Sequence, residues 1–390
     1  MLRIGDENCI LCSLCETRIN VVKNVIVPET EIAVLGLGPG ENEDFEGTPF
    51  VGRAGQKLKE ALYKNGINPS DISYLNSVLC RPPNNKLKKD YIICLKYFEE
   101  SLKEMPNIKI IMVLGVDAYK FITGKTKAAM SSIYSIPFKL EKYGDILFYP
   151  NYHPAALLYK PDHIIEEKFV GGFRIMKEML EASKTITKKN NYKHILNPEH
   201  LDIALNVLKR QEFFSFDLET TSLVPHQAKI LSFNFSWEEK TGIAFPYYYI
   251  NNGNLEYFWE EEQRNKIIET LKEIFSSDVK VTTQNGKYDS LVLKHNFGFG
   301  IKIAFDTMLA SFLLDSNQNF NLDSITAREI PEEAGVKSEF WNSINADEEQ
   351  RKEDWYLKIS LEDLLDYGIH DADVTYRLTK ILARRLNNVE

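Results

Sequence analysis

The first half of the chain alternates continuous apolar runs with amphipathic segments. Apolar runs of strand length lie at 32–37, 108–114 and 146–149, and segments with the apolar spacing of helices lie at 56–64 and 89–102. Strands that are apolar throughout are usually buried on both faces, and the helices between them cover those faces. The pattern therefore predicts an α/β sandwich around a mostly parallel sheet.

The second half contains the same two kinds of segment in a different order. Two apolar-rich runs, 213–218 and 230–237, follow each other closely and predict adjacent strands. Apolar residues then recur with helical spacing in four segments, which are 260–275, 287–294, 307–314 and 361–386. This half is therefore also predicted to be α/β.

A polar stretch separates the two halves. Residues 182–192 read ASKTITKKNNY and are rich in lysine and asparagine, which is typical of a connection between domains. The sequence predicts a first domain over 1–185, a linker over 186–195 and a second domain over 196–390. A chain of 390 residues has room for two domains of about 100 to 200 residues each.

Composition narrows the classes of function. With 44% hydrophobic and 26% charged residues, the chain is typical of soluble globular proteins. No run approaches the roughly 18 apolar residues of a membrane span, and the start MLRIGDENC lacks a signal-peptide pattern, so we expect a cytoplasmic protein without membrane partners. The net charge is +3 over residues 1–190 and −12 over the rest. An acidic half is compatible with DNA binding, because carboxylates that hold divalent cations contribute to its charge.

Three segments of the second half carry acidic residues in patterns suited to chemistry. On the first predicted strand, Asp217 and Glu219 are two residues apart and project from the same face. Asp289 begins a predicted helix, and Asp371 lies within another, four residues after Tyr367 and therefore on the same helix face. One such pair is usually an ordinary surface feature, but the three segments together indicate a shared site.

These segments resemble the three motifs of the DnaQ-like, or DEDD, 3′-5′ exonucleases in their tyrosine-bearing branch, over the whole second half. Residues 303–314 closely resemble the segment after the second motif in the proofreading domain of bacterial DNA polymerase I. The resemblance implies an RNase H-like fold and metal-dependent hydrolysis of DNA from its 3′ ends. It also implies two Mg²⁺ or Mn²⁺ ions held by four carboxylates, which are Asp217, Glu219, Asp289 and Asp371.

The same resemblance assigns roles to neighbouring residues. Tyr367 would orient the attacking water, Asn285 would lie beside the terminal nucleotide, and Leu223 would wedge against the last base. Asp306 is expected to be structural, as a helix cap. His370 receives no role and is expected to be exposed.

Cysteine usage indicates a metal centre in the first half. Three of the five cysteines fall close together at Cys9, Cys12 and Cys15, which would be an unusual disulfide framework in a reducing compartment. Together with Cys80 and Cys94 they can supply four thiolates, which suit either tetrahedral Zn²⁺ or a 4Fe–4S cluster, and spacing alone does not choose between the two. Five unligated buried cysteines are the remaining alternative.

Further motifs resemble the family 4 uracil-DNA glycosylases across nearly all of the first domain. They are GLGPGENED at 36–44, GTPFVGRAG at 47–55, Asn76, CRPP at 80–83 and HPAALL at 153–158. The resemblance implies that a 4Fe–4S cluster is ligated by Cys9, Cys12, Cys80 and Cys94, and that Cys15 is spare.

The resemblance also implies a pocket for a uracil that has been flipped out of the DNA. Phe50 would stack on the base, Asn76 would read its edge, and His153 would stabilise the charge that develops on a uracil oxygen. The glycines at 36, 38 and 40 would let the backbone approach the DNA closely.

Leu37 departs from the family pattern. Family members usually carry a carboxylate at this point, and a leucine can neither activate water nor stabilise a cationic sugar. Another branch of the superfamily has leucine here and uses a carboxylate elsewhere, so Glu41, Glu43 or Asp44 is the candidate substitute. Two functions stay open for this domain: an active glycosylase in base excision repair, and a non-catalytic module that senses uracil or aids processivity.

The order of the two domains resembles the N-terminal part of DNA polymerases from SPO1-type bacteriophages, which would place the chain in the cytoplasm of a bacterial host. Only 19 residues follow Asp371, so no polymerase domain is expected within the chain. The chain is then a fragment of a longer polymerase, works with a separate polymerase, or acts alone. DNA is the expected partner, as single strands, as 3′ ends and as strands that contain uracil.

Overall fold

The computed structural model describes residues 1–83, 89–159, 162–182, 184, 189–343 and 355–388. The chain divides into two compact units. Unit one comprises Met1–Thr185 with Pro331–Glu339, and unit two comprises Ile186–Ile330 with Phe340–Glu390. Within the described ranges, none of the helices combines the length and the hydropathy that a membrane span requires.

Unit one is built around a sheet with helices on its faces. The strands are β1 (Leu2–Ile4), β2 (Asn24–Ile26), β3 (Ile32–Gly36), β4 (Ser73–Asn76), β5 (Ile110–Leu114), β6 (Phe138–Lys139) and β7 (Leu147–Asn151). The helices are α1 (Glu41–Glu46), α2 (Arg53–Lys64), α3 (Leu95–Lys103), α4 (Val116–Thr123), α5 (Met130–Ile133), α6 (Ala156–Tyr159) and α7 (His163–Ala182).

The centre of this sheet is parallel and its edges are antiparallel. Over the described residues the strand order is β1-β2-β4-β3-β5-β7-β6. The neighbours β4, β3, β5 and β7 run parallel, whereas the pairs β1–β2, β2–β4 and β6–β7 are antiparallel. Every residue of β3 and β5 is buried, which explains why both sequences are continuously apolar. The predicted α/β class is confirmed, and the parallel part of the sheet is its four central strands.

Unit two has a second mixed sheet. The strands are β8 (Asn191–His194), β9 (Phe213–Thr220), β10 (Ile230–Glu238), β11 (Thr241–Pro246), β12 (Tyr248–Asn251), β13 (Asn254–Tyr257), β14 (Lys280–Thr283) and β15 (Ile303–Asp306). The helices along this part of the chain are α8 (Pro198–Lys209), α9 (Glu261–Ser276), α10 (Lys287–Phe297), α11 (Thr307–Leu314), α12 (Leu322–Glu329), α13 (Val336–Ser343) and α14 (Leu361–Asn387).

The main sheet of unit two runs β15-β14-β9-β10-β11-β8 in its described part, with β12 and β13 forming a separate hairpin. The strands β9, β10 and β11 are antiparallel neighbours, β14 and β15 are parallel to β9, and β8 is parallel to β11. The two strands predicted to be adjacent are β9 and β10. The predicted helices are α9, α10, α11 and α14, with ends that shift by three residues at most.

The predicted linker over 186–195 is too long at its C-terminal end. Residues 186–188 lie outside the described residues, and Asn191–His194 form the edge strand β8. The Asn191 amide donates to the carbonyl of Lys240 at 2.7 Å, which fixes the start of this strand. A polar edge strand exposes every second side chain to solvent and therefore resembles a loop in sequence.

The helix predicted over 89–102 is also shorter than expected. Residues Lys89–Cys94 form a 3₁₀ helix, and α3 begins only at Leu95. Tyr91 and Cys94 are buried in a cluster that contains other cysteines, so tertiary packing sets the backbone of this segment instead of helical periodicity.

Alternation along β9 separates an apolar face from a polar face. Phe214 and Phe216 belong to the main apolar core of unit two, which also includes residues of α8, α9 and α10. Ser215, Asp217 and Glu219 alternate with them and therefore project from the opposite face. The apolar core thus holds one face of β9, and the opposite face presents the hydroxyl and carboxylate groups.

Helix α7 offers a matched pair of glycines that tests how tightly unit one is packed. A Cβ at Gly171 would meet nothing within 4 Å, whereas a Cβ at Gly172 would stand less than 3.0 Å from the side chain of buried Asn151. Asn151 cannot easily move, because its amide donates to the carbonyl of Phe169 at 2.9 Å and its Oδ1 accepts from the Tyr152 amide at 2.8 Å.

We expect opposite effects from the same substitution at these two positions. Gly172→Ala should lower the free energy of unfolding of unit one by about 1–3 kcal/mol through overpacking. Gly171→Ala should raise it by about 0.5–1 kcal/mol, because alanine is the better helix former. Urea unfolding followed by far-ultraviolet circular dichroism measures both, and equal effects would contradict the packing described for α7.

Candidate active sites

The polar face of β9 lies under helix α14. Asp217 pairs with Asn234 of β10, and Glu219, two residues further on, projects from the same face. The Ser215 hydroxyl, on this face as well, donates to the carbonyl of Ala372 in α14 at 2.6 Å. The carboxylates of β9 therefore face α14.

Gly368 lets α14 approach the sheet closely. A Cβ at this position would lie less than 3.0 Å from the side chain of Asn234, which is itself held by a 3.3 Å hydrogen bond to the carbonyl of Asp217. Tyr367 and Asp371 flank this contact one helical turn apart, and both are buried, with 8% and 7% of their surface exposed. Helix spacing thus brings a tyrosine and a carboxylate to the strand position that carries Asp217.

Asp289 adds a carboxylate from the first turn of α10. It is 3% exposed and accepts hydrogen bonds from the backbone amides of Leu218 and of Asp289 itself. Burial, followed by the negative charge of Asp217, raises the pKa of the Asp289 carboxyl well above its usual range. A buried carboxylate that feels the charge of a second one is repelled by it unless a proton or a cation offsets the charge.

The donor set of this site suits divalent cations. Asp217, Glu219, Asp289 and Asp371 present carboxylate oxygens from three elements, and oxygen is the ligand type that Mg²⁺ and Mn²⁺ prefer. In the part of the chain that the structure describes, no three acidic, histidine or cysteine side chains are already gathered around a single point. A cation would offset the repulsion that raises the pKa of Asp289, so the chemistry of these residues fits a metal site.

Asp306 holds the turn that precedes α10. Its carboxylate accepts from the amides of Asn285 at 3.2 Å and Gly286 at 3.0 Å, and it also caps α11 through the amides of Met308 and Leu309. Asn285 has a left-handed φ of 58°, which few residues other than glycine adopt. Asp306 is therefore a structural cap, and it fixes the backbone at Asn285.

The turn after β9 is tied to α10 and presents an apolar side chain. The Tyr288 hydroxyl lies 2.5 Å from Thr220 Oγ1 and donates to the carbonyl of Ser222. The next residue, Leu223, is 69% exposed. A leucine thus projects into solvent from an anchored turn next to the carboxylates.

In unit one, the predicted pocket residues line one cavity. Asn76 ends β4, Leu37 follows β3, and His153 follows β7. With β5 between β3 and β7, these strands are parallel neighbours, and their carboxyl ends meet at one edge of the sheet. Together with Phe50, the three residues line a cavity of about 690 Å³.

Gly36 allows Phe50 and Asn76 to lie together in this cavity. A Cβ at position 36 would be 2.9 Å from Asn76 Oδ1 and 3.0 Å from Phe50 Cζ. Phe50 has a left-handed φ of 55°, and a Cβ at Gly55 would collide with the Phe50 carbonyl. Two glycines therefore hold an aromatic ring beside an amide, in a backbone conformation that costs energy and is often found at functional sites.

His153 is a neutral hydrogen-bond donor in this cavity. Desolvation lowers the pKa of its imidazole to about 4, although the charges of Glu43 and Asp117 act in the opposite direction. Nδ1 accepts a hydrogen bond from the Ala155 amide at 3.2 Å, so the proton of the neutral ring is on Nε2. A neutral imidazole with Nε2–H can donate to an oxygen on which negative charge develops.

Two of the three acids expected to substitute for Leu37 are used by the fold. Glu43 accepts from the amides of Gly40 at 3.1 Å and Gly52 at 2.7 Å, one with each carboxylate oxygen. Asp44 is buried and accepts from the backbone amides of residues 19 and 20. Both carboxylates therefore hold backbone amides of neighbouring segments, whereas Glu41 accepts from none among the described residues.

Four cysteines share one apolar cluster, and the fifth is outside it. Cys9, Cys80 and Cys94 are buried in one apolar cluster, and Cys12 packs against it. Cys15 is absent from the described members of this cluster. Burial raises the pKa of Cys80 and raises that of Cys94 to about 12, with the neighbouring cysteines adding to both shifts. Such thiols stay protonated unless a metal centre compensates the thiolate charge.

An arginine donates to one of these sulfurs, and a buried hydroxyl lies near another. The Arg18 guanidinium donates to the carbonyl of Cys9 at 2.6 Å and to Cys80 Sγ at 3.6 Å. The buried Tyr97 hydroxyl neighbours Cys9, and no described residue is in good hydrogen-bonding geometry with it. Donors around buried sulfurs are the usual surroundings of a thiolate-bound centre, so these residues fit a four-cysteine site.

Two family models match the chain, one in each half. The uracil DNA glycosylase superfamily matches residues 24–175, and a 3′-5′ exonuclease family matches residues 192–387. The chain belongs to both families. Its glycosylase domain is similar to the type-4 uracil-DNA glycosylase of Sulfurisphaera tokodaii, at 40% identity over 182 residues, which are 43% of this chain and 80% of that protein.

Similarity to polymerases covers the exonuclease domain and, in one case, nearly the whole chain. DNA polymerase I of Borreliella burgdorferi is 31% identical over 208 residues, which are 53% of this chain and 21% of that protein. A DNA polymerase of Bacillus phage SP01 is 23% identical over 385 residues, which are 90% of this chain and 40% of that protein. The chain therefore spans less than half the length of either polymerase, and the predicted fusion of the two domains is confirmed.

The exonuclease site contains aromatic packing that no sequence pattern predicted. Phe340 stacks on Tyr367 with ring centroids 4.0 Å apart and planes at 17°, and Trp341 meets Tyr367 edge-on at 5.9 Å. Trp341 in turn contacts Trp355 at 5.5 Å. In the sequence, this packing is indicated only by the large aromatic residues that precede α14, which are Phe340, Trp341, Trp355 and Tyr356.

The expectation that His370 is exposed is wrong. Only 13% of its side chain is exposed, and its Nδ1 lies 3.6 Å from Asp371 Oδ1. The imidazole therefore lies beside one of the four carboxylates predicted to hold the metals. A helix that is buried on several faces gives little periodicity from which to predict such a contact.

Proposed function

We propose that the exonuclease domain removes nucleotides from DNA 3′ ends by hydrolysis with two Mg²⁺ or Mn²⁺ ions. The strongest support is that four carboxylates lie on three neighbouring elements, β9, α10 and α14, with the buried Tyr367 one helical turn from Asp371. The raised pKa of Asp289 next to Asp217 adds to this support, because a site that concentrates buried negative charge is suited to cations.

The ions would be held by Asp217, Glu219, Asp289 and Asp371. When bound, they supply charge neutralisation at the scissile phosphate and a water of lowered pKa. Tyr367 would orient that water through its hydroxyl, and the Phe340 ring stacked on Tyr367 would restrict its movement.

The nucleotide would be positioned by residues outside the carboxylate set. Leu223 would contact the terminal base with its exposed apolar side chain, and Asn285 would approach the terminal nucleotide from the turn that Asp306 fixes. Neither residue is needed to hold a metal, so both would act mainly on substrate binding.

The glycosylase domain is proposed to carry a 4Fe–4S cluster on Cys9, Cys12, Cys80 and Cys94. The clustering of these four thiols without Cys15, and the donors near their sulfurs, support this assignment. When bound, the cluster would join the N-terminal segment to the rest of the domain and so contribute to its stability.

A second candidate function is the excision of uracil from DNA, favoured by the cavity that Phe50, Asn76 and His153 line together. Phe50 would stack on the flipped base, the Asn76 amide would pair with its edge, and Nε2–H of His153 would donate to its oxygen. A module that senses uracil without removing it would use the same contacts.

Both domains would act on DNA that a polymerase synthesises or copies. The similarity to a phage DNA polymerase over 90% of this chain supports a role in proofreading and repair during replication. The polymerase activity would reside in a further part of the same protein or in a separate polypeptide. We place this system in the cytoplasm of a bacterial host.

Substitution of the carboxylates tests the exonuclease proposal. Asp217→Ala and Asp289→Ala should each reduce Mg²⁺-dependent release of mononucleotides from a 3′ end by several orders of magnitude, because each removes a metal ligand. Tyr367→Phe should cost less, about tenfold to a hundredfold, because it removes an orienting hydroxyl and keeps the carboxylates. A labelled single-stranded oligonucleotide provides the assay.

Asp278→Ala is the matched control, since this aspartate of the exonuclease domain is exposed and lies outside the carboxylate set. It should degrade the oligonucleotide at the wild-type rate. Wild-type rates for Asp217→Ala and Asp289→Ala would show that these residues do not hold the metals.

A matched pair of cysteine variants tests the cluster. Protein purified without oxygen should be brown and contain about four irons per chain. Cys80→Ser should lose iron and colour, because it removes a buried ligand, whereas Cys15→Ser should keep both. Iron analysis and visible absorbance provide the measurement, and a colourless protein with a single zinc would contradict the cluster while keeping a four-cysteine site.

A further inference from the structure

We propose that Asp117 is the catalytic carboxylate of the uracil cavity and performs the role for which Leu37 is unsuited. This inference rests on the proposed uracil excision. It identifies a residue that neither the family motifs nor the spacing of acids in the sequence singles out.

The sheet places Asp117 next to Leu37 and His153. Parallel pairing aligns Leu35 of β3 with Val113 of β5, so the loop that carries Leu37 lies beside the loop that leads to Asp117. On the other side of β5, the register aligns Leu114 with Asn151, two residues before His153. The three side chains therefore come from the carboxyl ends of three neighbouring strands.

A glycine brings the loops after β5 and β7 into contact. Gly115 has a φ of 89°, and a Cβ there would stand 3.0 Å from the Cβ of His153. Asp117 follows two residues later and lines the same cavity as Leu37, Phe50 and His153. The negative charge of Asp117 acts to raise the pKa of the His153 imidazole, against the larger effect of desolvation.

The other carboxylates near the cavity are engaged. Glu43 binds backbone amides with both oxygens, and Asp44 is buried in a loop contact. Glu41 lines the cavity, but its side chain is 79% exposed and pairs with Arg81 at 3.4 Å. Asp117 accepts no hydrogen bond from any residue that the structure describes. Its oxygens are therefore available to water or to a sugar.

The chemistry requires one carboxylate and one neutral donor. The bond between C1′ of the sugar and N1 of uracil breaks, and its electron pair remains on uracil, where Nε2–H of His153 donates to the charged oxygen. The Asp117 carboxylate stabilises the cationic sugar and accepts a proton from the water whose oxygen bonds to C1′. Uracil then takes a proton from solvent and Asp117 releases its proton to solvent, which leaves free uracil, an abasic sugar and the original carboxylate.

Single-turnover excision from a single-uracil oligonucleotide tests the assignment. The assay is alkaline cleavage of the labelled strand in EDTA, which silences the metal-dependent exonuclease domain. Asp117→Asn should reduce the rate by roughly 10²–10⁴-fold, the usual effect of losing an acid–base group. Its affinity for a uracil-containing strand and its thermal midpoint should stay close to wild type.

One control, one competing variant and one rescue complete the experiment. Glu166→Gln removes an exposed carboxylate from the first turn of α7, outside the cavity, and should excise at the wild-type rate. Glu41→Gln tests the competing carboxylate of the cavity and should lower the rate less than Asp117→Asn does. Leu37→Glu in the Asp117→Asn chain should restore excision, because it returns a carboxylate to the neighbouring loop.

The outcomes separate this inference from the proposed function. Excision by wild type that survives Asp117→Asn, or that is lost in Glu41→Gln instead, would overturn the role of Asp117 and leave the glycosylase standing. Excision only after Leu37→Glu would show that Asp117 does not act. Absence of excision in wild type and in Leu37→Glu would overturn the glycosylase proposal and this inference together.

Discussion

A buried carboxylate beside a second carboxylate is the constraint on which the exonuclease domain depends. Burial, followed by the charge of the half-buried Asp217, raises the pKa of Asp289, so this pair is unfavourable without a proton or a cation. The surrounding structure maintains this arrangement. Phe214 and Phe216 hold β9 through the apolar core on one face of the sheet, and Gly368 lets α14 approach the opposite face. A fold that holds negative charges together in this way is stabilised by the cations that its chemistry requires.

The cavity of the glycosylase domain, in contrast, is lined mostly by uncharged residues. Its cavity is formed at the ends of parallel strands, and its lining includes a neutral His153, the apolar Leu37 and the ring of Phe50. The acids on its loops mostly bind backbone amides and so stabilise the loops, Glu43 being the clearest example. A pocket for an uncharged base needs few charges, and those that remain unengaged there become candidates for catalysis.

The positions of candidate residues on strands could be predicted from the sequence, because short motifs keep them close together. Asp217 with Glu219, and Asn76 on β4, are of this kind. Roles that arise from tertiary neighbours could not be predicted. Phe340 matters because it stacks on Tyr367 across a long stretch of chain, and Asp117 matters because β5 lies between β3 and β7. The spacing of residues in the sequence predicts neither the stacking nor the strand order.

The most direct measurement of the central claim is calorimetric unfolding of the wild type, Asp289→Asn and Asp278→Asn in EDTA and in Mn²⁺. If the negative charges of the neighbouring carboxylates destabilise the exonuclease domain without a cation, Mn²⁺ at 100 times its dissociation constant should stabilise the wild type and Asp278→Asn by about 2.7 kcal/mol. Asp289→Asn should unfold in EDTA at the wild-type temperature or above it, and Mn²⁺ should add little. Equal stabilisation of all three proteins by Mn²⁺, or a loss of stability of Asp289→Asn in EDTA, would contradict the account.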